Sequence, residues 1–256
     1  MLCAKRKSDG QIEIARLEAR PFAPFCCPEC DSEVILRVGS VRLSNFAHKP
    51  PVTCEYGKGE SEVHRRCKME IYEALSREPS VTKLALERSI KKTTRPDVSA
   101  YINGVPVAIE VQISNLTMET IVRRTEAYGR MGVYVLWLAQ WSPYLDGELY
   151  SPRLWEKWVH ACYFGKVYYW KKGLEIASYH FEPHFTYVPT SSWYSEGGEE
   201  MIAGGFERQS KRYRVPIERR VLHLTQDFIP RQRESWESKD YKIPASKLFL
   251  ERKRAN

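Results

Sequence analysis

The stretch TRPDVSAYINGVPVAIEVQIS, residues 94–114, reads as two apolar strands joined by a short turn at INGVP. It sets Asp97 at the head of the first strand and Glu110 inside the second, with Gln112 two residues further on. Side chains alternate along a strand, so Glu110 and Gln112 share a face, and Asp97 at the facing end of the partner strand can join them. PVAIEVQI is apolar on both sides of Glu110. That predicts a mostly buried strand, and carboxylates are rarely buried without a partner or a metal. Two carboxylates aimed at one point supply the oxygen donors that a hard divalent cation takes, and Mg²⁺-dependent phosphodiester hydrolysis requires such a cation. Acid pairs on neighbouring strands are also common in purely structural settings, so the pair alone leaves both readings open.

Upstream, GESEVHRRCKMEIYEALSRE carries Val63, Cys67, Ile71 and Leu75 at helical spacing. Glu60, His64 and Lys68 recur at i, i+4 and i+8, along one face of that helix. The bland reading of such a row is a solvated, salt-bridged surface. VTKLALERSI then reads as a strand, followed by the pair just described. Downstream, a second helix is expected over about 117–130, and VYVLWLA as a buried strand. The order helix, three strands, helix, strand predicts a mixed sheet with a helix on each side.

At the N-terminus, LCAKRK, the turn SDG and the alternating QIEIARLEA form a hairpin pattern. Beyond the core, PRLWEKWVHACYF reads as a helix and KVYYWKKGLEIASYHF as a hairpin turning at KKG. The aromatic group Trp155, Trp158, Tyr163, Tyr168, Tyr169 and Trp170 is expected to pack between them rather than to stack nucleobases. His180 and His184 stand in HFEPH, whose proline predicts a loop. From about Pro189 the periodicity fades and Gly, Ser, Pro and charge dominate, which predicts a partly disordered tail.

With 43% hydrophobic residues and 12% aromatics the 256-residue chain can bury a sizeable core. The net charge of +8 is unevenly spread: residues 201–256 hold 14 Lys and Arg against 7 Asp and Glu. A basic tail fits phosphate contacts, and equally a solvated surface. No apolar run approaches the roughly 20 residues that cross a bilayer. MLCAKRKSDG lacks the apolar segment of a signal peptide, and seven cysteines, an odd number, argue against a disulfide framework. A cytoplasmic protein with reduced thiols is expected.

Cys27-Pro-Glu-Cys30 places two thiols on one tight turn, and His48 and Cys54 offer a second pair after a segment that can form a hairpin. Cys-x-x-Cys followed by His and Cys reads as a closed, tetrahedral structural Zn²⁺ site. Cys26 is the alternative to Cys27. Zinc would also account for the folding of an N-terminal unit with few large apolar residues. Cys3, Cys67 and Cys162 read as buried or incidental thiols.

Taken in order, CPEC, FAH, GESEVHRRCK, RPDV, AIEVQIS, VRRTEAY and VLWL resemble the competence protein CoiA family, which belongs to the PD-(D/E)XK nuclease superfamily. The resemblance covers roughly residues 20–140. It implies a restriction-endonuclease-like core in which Asp97 and Glu110 bind Mg²⁺ or Mn²⁺ with the backbone carbonyl of Val111, and Glu60 completes the shell directly or through water. Gln112 stands where the superfamily has its lysine and offers hydrogen bonds but no charge. Lys68 could replace that lysine from the helix, and His64 could serve as a general acid or a phosphate ligand. Arg95 and Arg124 are the expected phosphate contacts, with Arg123 as the alternative to Arg124 and Tyr128 one turn later.

The expected organisation is therefore an N-terminal zinc-knuckle β module (1–57), a PD-(D/E)XK core (58–140), a helix and hairpin extension (141–188) and a basic tail (189–256). The expected activity is that of a metal-dependent deoxyribonuclease, an endonuclease acting on single-stranded, branched or duplex DNA in uptake, recombination or defence. A homodimer and recombination or defence proteins are the assemblies the resemblance implies. The alternative is a non-catalytic nucleic-acid-binding or adaptor protein on the same fold.

Overall fold

In the computed structural model, residues 1–39, 41–54, 56, 59–90, 93–238 and 241–253 are described. Five short strands come first: β1 (Cys3–Arg6), β2 (Ile12–Ile14), β3 (Phe25–Cys26), β4 (Glu33–Arg37) and β5 (Asn45–His48). They form an antiparallel sheet in the order β2-β1-β3-β4-β5. Its core is small, built on Phe25 packed edge-on against Phe46 at 4.9 Å with Val34 and Cys27 beside them.

Helix α1 (Glu62–Leu75) follows, capped by Ser61, whose Oγ accepts from the His64 N–H at 3.1 Å. It buries Cys67, Ile71 and Leu75 as the spacing predicts, with Lys68 and Met69 beside them, whereas Val63 in the first turn is exposed. Glu60 stands just before the cap, so it precedes the helix rather than opening it. Strands β6 (Val81–Leu86), β7 (Val98–Ile102) and β8 (Val105–Gln112) are antiparallel neighbours. Asn103 (φ 49°) and Gly104 (φ 77°) make the two-residue turn between β7 and β8. Both positions need left-handed backbone, which is why Asn-Gly closes this hairpin. The turn fixes the register Val98 opposite Ile109, bringing the head of β7 to the middle of β8.

Helix α2 (Met118–Arg130), capped by Thr117, leads to β9 (Tyr134–Gln140), which runs parallel to β8 with Trp137 beside Glu110. The chain order α1, β6, β7, β8, α2, β9 agrees with the reading of the sequence. Helix α3 (Leu154–Cys162), β10 (Val167–Lys172) and β11 (Glu175–Val188) follow as expected. The six aromatics of this region are all buried, and Tyr168 packs edge-on against Phe228 from later in the chain. His180 and His184, however, lie within β11 rather than in a loop. Pro183 is tolerated there because the strand continues past it on pairing with β14 across a register shift.

The chain beyond Pro189 differs most from expectation. It forms β12 (Ser191–Tyr194), β13 (Glu200–Ala203), β14 (Phe206–His223), β15 (Phe228–Arg233), β16 (Trp236–Glu237), β17 (Lys242–Ile243) and β18 (Ser246–Glu251). Strand β14 pairs with β11 along nearly its whole length. Most of its side chains are exposed on both faces, so the ladder rather than an apolar stripe holds it, and no alternation marks it in the sequence. Strand β18 is buried and returns to the centre, pairing with β15 and, in parallel, with β9 at Leu248–Val135. The result is a nine-stranded mixed sheet whose main path runs β14-β11-β10-β9-β8-β7-β6. Among the described residues, no helix is long and apolar enough to cross a membrane.

Candidate functional site

Where β7 and β8 meet the start of α1, a cleft of about 620 Å³ is lined by Glu60, His64, Lys68, Glu87, Asp97 and Arg124. Five of these, all but Glu87, were singled out in the sequence. The Lys68 ammonium, 3% exposed, forms ion pairs with Glu60 and Glu87 and lies 3.6 Å from Asp97 Oδ1. His64 bridges its neighbours, with Nδ1 3.6 Å from Glu60 Oε1 and Nε2 3.2 Å from Asp97 Oδ2. The same Oδ2 accepts the Val111 N–H at 2.8 Å, so Asp97 is tied to the backbone of β8. This face of α1 is buried and shared by carboxylates, unlike the solvated row that its spacing also allowed.

Charge in the cleft is set by burial and by Lys68 together. Burial works against the charged form of Asp97, but the Lys68 ammonium and His64 override it and hold the carboxyl well below its ordinary value. Burial likewise opposes charge on Glu87, and Lys68 reverses the balance. Lys68 would lose its proton more easily for being buried, yet Glu87, Asp97 and Glu60 raise it well above an ordinary lysine.

Glu110 stands in a second cluster beside the first. It is 2% exposed, and its Oε1 accepts from both the Arg124 guanidinium and the Tyr128 hydroxyl. Burial, opposed by Arg124 and reinforced by the negative charge of Asp97, pushes its carboxyl up to about 7. Arg124 also donates to the Arg95 carbonyl at 2.7 Å, linking the two clusters, whereas Arg123 is exposed. Arg95 itself pairs with Glu29 and lies over the Tyr56 ring, 3.9 Å from its centroid. Gln112 is not drawn in: its amide donates to the Ser114 carbonyl at 2.8 Å, outside the ring of acids.

Glu87 was not singled out in the sequence. It directly follows β6 in LALE, the same apolar-then-acid pattern as the VAIE that marks Glu110, and that parallel is the signal that was available. Its φ of 48° turns the chain as the strand ends. The N-terminal region supplies two of its partners from outside its strands. The Leu2 N–H donates to Glu87 Oε2 at 2.8 Å, and the Tyr56 hydroxyl to the same oxygen at 2.5 Å.

The Cys/His cluster adjoins the cleft, whose lining includes Cys54 and Glu29. Cys27, Cys30, His48 and Cys54 bring one ligand atom each to within 4.8 Å of one another, and Cys26 is not part of the group. Cys27 follows β3, Cys30 closes the turn, His48 ends β5 and Cys54 lies in the loop after it. Cys27 Sγ and Cys54 Sγ are 4.0 Å apart, and Cys30 Sγ is 3.4 Å from His48 Nε2. Ligands about 2.3 Å (S) and 2.0 Å (N) from one tetrahedral ion would stand about 3.8 Å (S to S) and about 3.5 Å (S to N) apart. The donor set therefore fits Zn²⁺ in type and spacing. The Glu29 N–H points at Cys27 Sγ (3.4 Å), an amide contact that favours a thiolate. Hydrogen bonds from Ser32 and His48 bring the Cys30 thiol down to about 6, while burial pushes Cys27 up to about 12. All seven cysteines are free of disulfides. Among the described residues, no set of carboxylates converges as closely as these four.

Comparison with known families places this geometry. Residues 60–146, which hold Glu60, His64, Lys68, Glu87, Asp97 and Glu110, match the nuclease-like domain of competence protein CoiA, and residues 9–57 match its N-terminal domain. The chain belongs to the competence protein CoiA family. Among curated proteins it is similar to the competence protein CoiA of Bacillus subtilis (strain 168), with 29% identity over 120 residues. That stretch is 46% of this chain and 32% of the relative, so the match spans about a third of the relative's length. No solved structure matches the chain.

Proposed function

We propose that this chain is a metal-dependent DNA nuclease of the PD-(D/E)XK type. The observation that carries the reading is the pair of carboxylates at the centre of the nuclease-like region. Asp97 and Glu110 come from adjacent strands, and Asp97 is held charged while Glu110 is pushed up to about 7, partly by Asp97 itself. A site whose negative charges disfavour one another is one that a cation relieves. Oxygen donors alone, with no cysteine among them, suit Mg²⁺ or Mn²⁺. Asp97, Glu110 and the Val111 carbonyl are the proposed ligands, with Glu60 direct or through water. Both hydrogen bonds to Glu110 fall on Oε1, so Oε2 receives neither. The bound ion would polarise the phosphate and lower the barrier to attack by water.

The protein's own groups have separate tasks. Tyr128 and Arg124 fix the Glu110 carboxylate, and the Val111 N–H fixes Asp97. Lys68 takes the place of the superfamily's strand lysine as the positive charge beside Asp97, approaching from α1. His64, the more exposed of the two, is placed to give a proton to the leaving oxygen. Arg95 and Arg124 face the phosphate backbone. Gln112 contributes no charge and sits aside from these groups.

A second reading, a non-catalytic nucleic-acid-binding protein on the same fold, draws on one specific observation. Each acid already has a protein cation beside it, Lys68 for three of them and Arg124 for Glu110, so the cleft is electrostatically balanced without metal. Cleavage of labelled single-stranded, duplex and branched DNA with Mg²⁺, Mn²⁺ or EDTA separates the two. Metal-dependent cutting that disappears in Asp97→Ala is the expected result. Cutting that survives the substitution refutes the site, and DNA retained in EDTA with no cutting under any condition supports the second reading.

A further inference from the structure

A second cavity, of about 650 Å³, opens at the C-terminal ends of β8 and β9. Gln112 and Gln140 end those strands and line it, with Trp155 of α3 and the rings of Tyr144 and Tyr213. It adjoins the acidic cleft directly: Gln112 and Ile113 line the cavity, and Ser114 lines the cleft. The Gln112 amide, absent from the acid cluster, spans that junction through its bond to the Ser114 carbonyl. Arg153 pins the same segment by donating to the Ile113 carbonyl.

Three features of the cavity call for an occupant. Trp155 is 2% exposed, and its indole Nε1 is buried without a hydrogen-bond partner. Leaving such a donor unpaired costs about 1–3 kcal/mol, which an acceptor that reached it would recover. Tyr144 is 80% exposed and Tyr213 37% exposed, so two large rings from separate elements stand in water beside it. Arg153 lines it as a cation, Lys157 and Arg214 stand near its edge, and the acid in the lining, Glu156, is buried and accepts from the Tyr150 and Tyr169 hydroxyls. Flat rings, amide groups able to read a polar edge, one orphan N–H and neighbouring cations are the components of a nucleobase site.

We propose that this cavity takes an unstacked base of single-stranded DNA whose backbone continues into the acidic cleft. This rests on the nucleic-acid reading above and adds the substrate form. A base within a duplex has both faces covered by its neighbours, so only a single-stranded or frayed segment can present one to Tyr144 and Tyr213. Gln112 then has a role in place of the missing lysine's: it forms the ridge between phosphate and base.

The test is fluorescence anisotropy in EDTA with labelled oligo(dT) and with a blunt duplex, using the full chain. Tyr144→Ala and Tyr213→Ala should each weaken single-strand binding by about 5- to 150-fold, the range that loss of one base–aromatic stack gives. Duplex affinity should stay within twofold. Trp155→Phe, which keeps a ring and removes the N–H, should lower single-strand affinity without changing the duplex value. Unchanged oligo(dT) affinity in both tyrosine variants overturns the proposal, as does a parallel loss on both probes. No metal is present, so the outcome is independent of cleavage. Selective single-strand loss beside a wild type that never cuts would keep the base site and refute the nuclease. Cutting with unaltered affinities would do the reverse, and a wild type that binds neither probe overturns the base site.

Discussion

Replacing Lys68 by methionine removes the ammonium that Glu60, Glu87 and Asp97 share, leaving Glu60 the N-terminal ammonium of Met1 at 3.3 Å, while roughly keeping the length of the side chain. Lys68 and Glu87 are 3% and 4% exposed, so their charges cannot be handed back to water. Breaking a buried pair by deleting one partner costs about 3–5 kcal/mol, chiefly because the other charge is stranded. With an m-value of about 3 kcal/mol/M, the urea midpoint should fall by about 1–2 M at pH 7. The pH dependence follows from the direction of the shifts. Asp97 and Glu87 are held below their ordinary values, so their contribution is present above the unfolded carboxyl range near pH 4 and lost as pH falls through the folded values. In Lys68→Met the stranded carboxyls take up protons as pH falls, so the deficit should shrink between pH 7 and about 4.5. Adding Glu87→Gln to Lys68→Met should restore part of the loss, giving a coupling energy of about 0.5–3 kcal/mol between the two sites. A midpoint change equivalent to under about 1 kcal/mol, unaltered from pH 7 to 4.5, would refute the assignment of Lys68 as the charge that organises the cleft.

Glu110 has the opposite sign. Its carboxyl is raised to about 7, so the folded state binds the extra proton and is stabilised below that value, losing the benefit as pH rises towards it. Glu110→Gln cannot titrate, and its stability relative to wild type in EDTA should rise by up to about 3 kcal/mol between pH 5 and 8; a flat difference would contradict the burial of an uncharged acid. For the Cys/His cluster, metal analysis should find one Zn²⁺ per chain. Cys30→Ser or Cys54→Ser should lower that content and loosen residues 1–54, seen as faster amide exchange in β3–β5. Full zinc occupancy in both variants would refute the ligand set.

What the sequence made legible follows from where pattern and burial coincide. Val63, Cys67, Ile71 and Leu75 announce α1, and Asn103-Gly104 announces the hairpin that aligns Asp97 with β8, because in both cases local chemistry and the tertiary fold demand the same thing. The four-residue Cys/His set was legible because few other roles bring Cys-x-x-Cys, His and Cys together. Glu87 was missed since a lone acid ending a strand is usually a solvated cap, and only the partners Lys68, Leu2 and Tyr56, all distant in sequence, reveal it as buried. The turning of Gln112 towards Ser114 rather than the acids is likewise invisible in strand alternation, which fixes a face and not a rotamer. The strands past Pro189 were hidden because β14 exposes most of both faces, and β18 finds its place only against β9 and β15.

Tyr56 reaches out of the N-terminal segment to hold Glu87, and Glu29, seated between two of the cysteines, holds Arg95. The pocket wall is therefore borrowed from a neighbour, and a fragment trimmed to residues 60–146 would leave Glu87 without its hydroxyl and Arg95 without its counter-charge. The seam between the two matched regions is a poor place to cut for expression or for grafting onto another protein. An exchange of either half would succeed only when Glu29 and Tyr56 travel together with Glu87 and Arg95.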